Sequence, residues 1–310
     1  MQQCVLLFVL VSNKAASGLM TSFGPTVKNA LEGLYLKPYY SLEKTVASRS
    51  MPKLERPRSE KLSFGKAKSD DDDDDPQQID HSLWQGVLSA HVREGVVDYD
   101  GLRSDARFDA YLELLAANEP EAPFERLAYA LNAYNALCAN FVVRNPGITS
   151  ILDLSTKEAG PVWDQPAGEL GGKTVSLNDV EHKWLRDTWD DPRIHACIVC
   201  ASKSCPPLSQ RAFVGDDEKT LDDAMDTCAK TWVSDTTKGC HVDADRRKIT
   251  LSRIFLWFED DFEFEGGPLH FCGRWRDDLP ATQEGGWAIR YFDYDWSLNA
   301  AAASSVTQPE

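Results

Sequence analysis

Ile194-His195-Ala196-Cys197-Ile198-Val199-Cys200-Ala201-Ser202-Lys203-Ser204-Cys205-Pro206-Pro207-Leu208 carries an apolar run, an imidazole and three thiols straight into a turn. The β-branched and apolar residues from Ile194 to Val199, following the Asp191-Pro192 turn signal, predict a short buried strand. Period-two alternation then places His195, Cys197 and Val199 on one face and Ile194, Ala196, Ile198 and Cys200 on the other. The chain leaves this strand over residues 201–205, and Pro206-Pro207 stops it from continuing. On this reading Cys200 at the strand end and Cys205 in the loop are the exposed cysteines, while Cys197 packs inside. A loop cysteine near an imidazole acquires a depressed pKa and acts as a thiolate nucleophile at neutral pH. Two other readings stand beside it. All three cysteines are buried small apolar residues in a reducing compartment, or Cys200 and Cys205 are joined by a disulfide across one short loop. Spacing alone does not choose among the three.

A second polar cluster lies upstream, in the stretch from Thr174 to Arg186. Ser176 followed by Asp179 resembles a capping box with the shorter acid, so a helix is expected to start there. Leu177, Val180, Trp184 and Leu185 recur at helical spacing and form its apolar face. Glu181 and His182 are adjacent, about 100° apart around the helix, so only one of them flanks that face and reaches inward. A carboxylate accepting the second ring proton of an imidazole fixes its tautomer and stabilises the imidazolium. The plainer reading is a solvated Glu-His pair. A longer helix, about Phe124 to Val143, embeds Asn132 and Asn135 among apolar residues. Mid-helix asparagine needs a partner for its amide, so a buried polar network is expected, either orienting an imidazole or satisfying loop carbonyls.

The remaining pattern is helical at both ends with mixed strand and turn between, which predicts an α+β fold. His81 to Val92 and Arg107 to Ala117 read as amphipathic helices joined through an extended Val96 to Tyr99 segment. Thr220 to Val233 is a third, with Leu221, Met225, Cys228, Ala229, Trp232 and Val233 on its stripe. His241-Val242-Asp243 and Lys248 to Leu251 form a hairpin across a charged turn. Ile254 to Phe258 is an aromatic helical patch leading to the acidic run Glu259 to Asp261.

Six blocks in order carry a resemblance to a known family: Val96-Val97-Asp98-Tyr99, Leu131 to Leu137, Asp179-Val180-Glu181-His182, His195 to Leu208, Leu251 to Phe258, and Tyr294-Asp295-Trp296-Ser297-Leu298-Asn299. Together, over about residues 81–300, they resemble the domain of unknown function 547 family. The resemblance implies a single papain-like domain, helices packed on a small, mostly antiparallel sheet, with a proposed Cys-His-Glu arrangement. On this chain the matching positions are Cys205 or Cys200, His195 or His182, and Glu181.

The chain has 310 residues, 42% of them hydrophobic, and nine tryptophans, enough for one good-sized core. Its formal net charge of -16 argues against nucleic acid or an anionic membrane surface as partner. Residues 78–300 are therefore read as the folded domain and 301–310 as a tail. The apolar run Cys4 to Val11 is too short to span a bilayer but long enough for the core of a signal peptide over residues 1–22. A basic, Ser-rich stretch opens at Phe23-Gly24-Pro25, and the Asp70 to Asp75 run ends a solvated linker over 23–77. A cut before Phe23 followed by a basic tail resembles the two-part plastid leader of algae with complex plastids; an ordinary secretory signal or a misplaced start codon reads equally well.

No Walker-type loop, dinucleotide fingerprint or paired zinc spacing is present, so no cofactor or metal is expected. The expected function is a cysteine-dependent hydrolase or amide-bond transferase acting on a peptide or small amide. In it Cys205 attacks a carbonyl, His195 moves the proton and Glu181 orients the ring; Cys200, His182 and Asn132 complete the candidate set. The alternatives are a thiol redox protein using Cys200 and Cys205, and a catalytically silent binding module.

Overall fold

The computed structural model describes residues 79–263, 266–280 and 286–301, so the expected leader and all but one residue of the tail lie outside it. The fold is α+β. Helix α1 (Ser82–His91) runs through a two-stranded ribbon, β1 (Val92–Arg93) and β2 (Val96–Val97), into α2 (Tyr99–Arg103) and α3 (Ala106–Ala117). The ribbon turns at Glu94 and Gly95, both at positive φ, as a tight antiparallel connection requires. Asp98 and Asp105 start the next two helices by accepting from the backbone N–H groups of Gly101 and Arg107 at 2.9 and 3.0 Å.

Helix α4 (Pro123–Arg144) carries proline in its first turn, where the missing N–H costs nothing. It is buried on every side, so it is a core helix and not an amphipathic surface one. A hairpin follows, β3 (Pro166–Leu170) and β4 (Lys173–Ser176), turned by Gly171 and Gly172 at positive φ. The expected capping box forms at its end. Ser176 donates its N–H and hydroxyl to Asp179 at 2.9 and 2.8 Å, and Asp179 N–H returns a bond to the Ser176 hydroxyl at 3.0 Å. The helix it opens, Asp179–Arg186, is wound as a π-helix. Such wide turns are uncommon and concentrate at functional positions.

The strand predicted over Ile194 to Val199 is instead helix α5 (Ile194–Cys197), with extended chain only from Ile198. Asp191-Pro192 is the reason. The Asp191 side chain accepts from Arg193 N–H at 2.9 Å, and its carbonyl from Ile194 N–H at 3.2 Å. An aspartate cap followed by proline opens a helix as readily as it ends a loop. The predicted two-face alternation of His195, Cys197 and Val199 against Ile194, Ala196, Ile198 and Cys200 therefore does not occur.

Helix α6 (Glu218–Ser234), capped by Asp217 on Thr220 N–H at 2.8 Å, buries the expected stripe from Leu221 to Val233. The predicted hairpin is present as β5 (Cys240–Asp243) and β6 (Lys248–Leu251), antiparallel. The segment Arg253–Phe258 falls in a separate compact unit and contains the single turn α7 (Ile254–Trp257), closed by Leu256 and Trp257 N–H on the Arg253 carbonyl at 3.0 Å. Helices α8 (Glu259–Glu263) and α9 (Pro268–Gly273) precede β7 (Ala288–Tyr291), which pairs parallel to β6. Among the described residues the strands form three small sheets of two, two and three strands, where one sheet was expected.

Large aromatic side chains fill the core. Trp84 stacks on Tyr111 at 5.6 Å, and Phe271 meets Phe262 edge-on at 5.1 Å. Burial of each such ring contributes about 2 kcal/mol or more. Among the described residues no helix is long and apolar enough to cross a membrane.

Candidate functional site

The cysteine loop is positioned from two sides. From α4, Asn135 donates to the Cys197 carbonyl at 2.9 Å and accepts from Val199 N–H at 2.8 Å, clamping the backbone that leads to Cys200. Asn132 makes the same two-sided clamp one turn earlier, on the carbonyl and N–H of Phe213 at 2.7 and 3.0 Å. Both asparagines thus bond loop backbone. That explains polar amides in a helix buried on every side, since each satisfies a donor and an acceptor left over by irregular chain.

From the other side, a segment near the carboxyl end straps the loop. Lys203 N–H donates to the Ser297 carbonyl at 2.9 Å, Asn299 N–H to the Ala201 carbonyl at 3.0 Å, and Asp295 N–H to the Ser204 hydroxyl at 2.8 Å. Asn299 also bonds Tyr99 and the Gly95 carbonyl, tying the strap to the β1–β2 ribbon. Held this way, Ala201 sits at φ +59°, the left-handed region that costs an alanine about 1–2 kcal/mol.

Within the loop Cys200 and Cys205 are disulfide-bonded. Cys200 is half-buried and Cys205 is buried, so the expectation that both are exposed is corrected. Proline on its carboxyl side and the strap at residues 294–299 cover Cys205. The Tyr294 hydroxyl lies against both sulfurs, 3.3 Å from Cys200 Sγ and 3.2 Å from Cys205 Sγ, and accepts from the Ser202 hydroxyl at 3.2 Å. Cys200 N–H donates to Cys205 Sγ at 3.1 Å. Two donors therefore face the buried sulfur.

His195 is buried on α5, and its Nε2 meets Asp261 of α8 at 2.7 Å. Arg186 grips the same carboxylate with two bonds, 2.6 and 3.0 Å, and also contacts His182 Nδ1. Burial opposes ionisation of Asp261, but the bonds from His195 and Arg186 outweigh it and keep the carboxyl well below the usual carboxylate range. His195 thus meets this carboxylate directly, and His182 is linked to it only through Arg186. This carboxylate is not Glu181. Glu181 does turn inward, as one of the adjacent pair was expected to, but it receives the Tyr134 hydroxyl at 3.2 Å. Its charge adds to burial in pushing the nearby Cys138 thiol far up.

Sequence reasoning passed over two residues of this site. Asp261 stands in the sequence only as the end of an acidic run, and Tyr294 as one residue of a matching block. The placement of each acid around a single helical turn after the aromatic patch was the one available signal for Asp261. Among the described residues no group of three or more His, Cys, Asp and Glu side chains is arranged to hold a metal ion.

Residues 122–233 match the family described as "Protein of unknown function, DUF547". Over this stretch the chain is similar to that family. The matched stretch contains Asn132, Asn135, Glu181, His182, His195 and the Cys200–Cys205 loop, whereas Asp261 and Tyr294 lie beyond it. No curated protein and no solved structure matches the chain.

Proposed function

We propose that this protein is a thiol–disulfide exchange protein whose working couple is Cys200–Cys205. The observation that carries the reading is the asymmetry of that disulfide: Cys200 is half-buried, whereas Cys205 is buried and its sulfur accepts the Cys200 N–H, with the Tyr294 hydroxyl against both sulfurs. An incoming thiolate attacks Cys200 Sγ, forming a mixed disulfide there and breaking the Cys200–Cys205 bond. The electron pair leaves on Cys205, where Cys200 N–H and the Tyr294 hydroxyl stabilise the thiolate. A second thiolate, from the same or another molecule, attacks the incoming sulfur and releases Cys200. The net result is oxidation of two external thiols and reduction of the couple.

The test is trapping with a low-molecular disulfide, one of whose sulfurs a free Cys200 thiolate attacks while the other leaves as thiolate. Cys205→Ser should accumulate a stable mixed disulfide on Cys200, because the resolving sulfur is gone, and Cys200→Ser should form none. Exchange that persists in both serine variants would overturn the proposal.

A second reading is favoured by the His195 Nε2 contact with Asp261. With the couple reduced, a cysteine thiolate, His195 and Asp261 in place of Glu181 would make a cysteine-dependent hydrolase of the papain-like kind. An imidazole fixed by a carboxylate is the feature such chemistry needs. Hydrolysis of a peptide or small amide only in reductant, abolished equally by His195→Ala and Cys205→Ser, supports it; exchange activity untouched by His195→Ala supports the redox reading.

A further inference from the structure

The cysteine loop carries charge that the exchange step leaves unused. Lys203 is the one exposed residue between Cys200 and Cys205, and its backbone is fixed by its N–H bond to the Ser297 carbonyl at 2.9 Å. The cysteine Cα atoms are 6.4 Å apart. Lys203 lies two residues from Cys205, so its Cα is within about 8 Å of that cysteine's, and its long stem reaches across the mouth of the loop. A second ammonium comes from outside. Lys238, half-buried in the turn between α6 and β5, donates from Nζ to the Lys203 carbonyl at 3.3 Å. At that length the bond places charge over the loop more than it holds the loop. Burial pushes the Lys238 pKa below the ordinary lysine value, with Asp235 opposing, so this cation is short of water. Among the described residues neither ammonium is ion-paired, although acids outnumber bases 49 to 33 in the chain and Arg107, Lys173, Lys183, Arg193 and Lys219 each hold a carboxylate. The nearby carboxylates are turned to their own backbone: Asp235 accepts from the N–H and hydroxyl of Thr237 at 2.8 and 2.5 Å, and Asp295 from Ser297 N–H at 2.9 Å.

We propose that the external thiol of this couple is a small one that carries a carboxylate, received by Lys203 and Lys238 while its sulfur reaches Cys200. The inference rests on the exchange reading and names its substrate class. The incoming thiolate bonds to Cys200 Sγ, and the electron pair of the Cys200–Cys205 bond passes to Cys205. A second molecule of the same thiol attacks the sulfur of the first, the mixed disulfide breaks with its electron pair returning to Cys200, and a small disulfide leaves. Two small thiols are oxidised, and the two cysteines take up the protons they lose. A half-buried sulfur in a loop clamped from both sides is open to a small molecule more than to a protein surface. At physiological ionic strength charges are screened over about 8 Å, so the distant acids of the chain are damped while two ammonium groups beside the reacting sulfur are not.

The experiment reduces the disulfide of the full chain with mercaptopropionate, mercaptoethanol and cysteamine, which are anionic, neutral and cationic. Appearance of the Cys200 and Cys205 thiols is followed by rapid alkylation and mass spectrometry. Each rate is divided by the same thiol's rate on a small neutral disulfide, so that intrinsic reactivity cancels. The normalised rate should be about tenfold higher for the anionic thiol than for the cationic one, and the preference should fade in molar salt. Lys203→Gln and Lys238→Gln should each reduce the preference several-fold and together abolish it, whereas Lys203→Arg should keep it. Lys203 is exposed, and glutamine at position 238 retains a donor for the Lys203 carbonyl, so the variants should fold as the parent does. A parent chain without the preference, a preference that survives the double substitution, or equal slowing with all three thiols would overturn the substrate class and leave exchange at Cys200 standing. Failure of all three thiols to open the disulfide would overturn the exchange reading and this inference with it.

Discussion

Two regions leave the same stretch of chain and are built on opposite physics. The Cys200–Cys205 loop is held by neutral hydrogen bonds from backbone and from Tyr294, and its one strong link is covalent. The His195 region is held by charge, with Asp261 shared between an imidazole and a bidentate guanidinium. The first should answer to redox poise and hardly to pH; the second should answer to acid and hardly to reductant. Their closeness in sequence makes them look like one catalytic constellation, whereas their partners come from different elements.

The largest expected effect breaks the charged region. Asp261→Ala leaves Arg186 and a buried imidazole without their carboxylate, and should lower unfolding stability by about 3 kcal/mol in a urea titration. Glu181→Gln, which keeps an acceptor for Tyr134, should cost about 1 kcal/mol or less. Equal losses would mean that the carboxylate of α8 is no more important to the fold than the one first expected to orient the ring.

Acid sharpens the contrast once a third residue is accounted for. His81 is buried against Tyr111, 2.8 Å from its hydroxyl, and burial pushes its pKa down to about 4. The folded state thus keeps this ring neutral while the unfolded chain protonates it near the ordinary value of 6.5. Its contribution is fully present above that value and is lost as pH falls from about 6.5 to about 4, a loss of about 3 kcal/mol. His81→Gln should flatten stability across that window. The Asp261 contribution has the depressed carboxylate's sign and disappears only at lower pH, so a remaining acid transition below pH 4 in His81→Gln is expected and should shrink with Asp261→Asn, the depressed carboxyls of Asp105 and Asp179 supplying the rest.

Reduction probes the other region. Opening a disulfide that encloses so short a loop should cost about 2 kcal/mol, read as a lower urea midpoint in reductant with the pH profile unchanged. The smallest effect is Tyr294→Phe. Removing the hydroxyl from both sulfurs takes away about 1 kcal/mol of thiolate stabilisation, so the Cys200–Cys205 couple should shift several-fold toward the disulfide in a glutathione titration. No shift would leave Tyr294 as a packing residue only, its ring centroid 4.5 Å from that of Trp296.

What could be read along the chain was whatever depends on neighbours a few residues apart. The helical stripes of α1, α3 and α6, the Ser176–Asp179 box and the β5–β6 hairpin all follow from local periodicity and capping, and they were legible. Asn132 and Asn135 announced a buried network because an amide in a core helix must be satisfied wherever its partner lies. The short run at 194–199 was misread because four apolar residues fit a helix turn and a strand equally, and the cap at Asp191 decided between them. Only tertiary structure brought Asp261 to His195 across 66 residues and Tyr294 to Cys200 across 94. Such contacts depend on how whole elements dock, and docking is set by the summed shape and burial of many side chains, which no local pattern records.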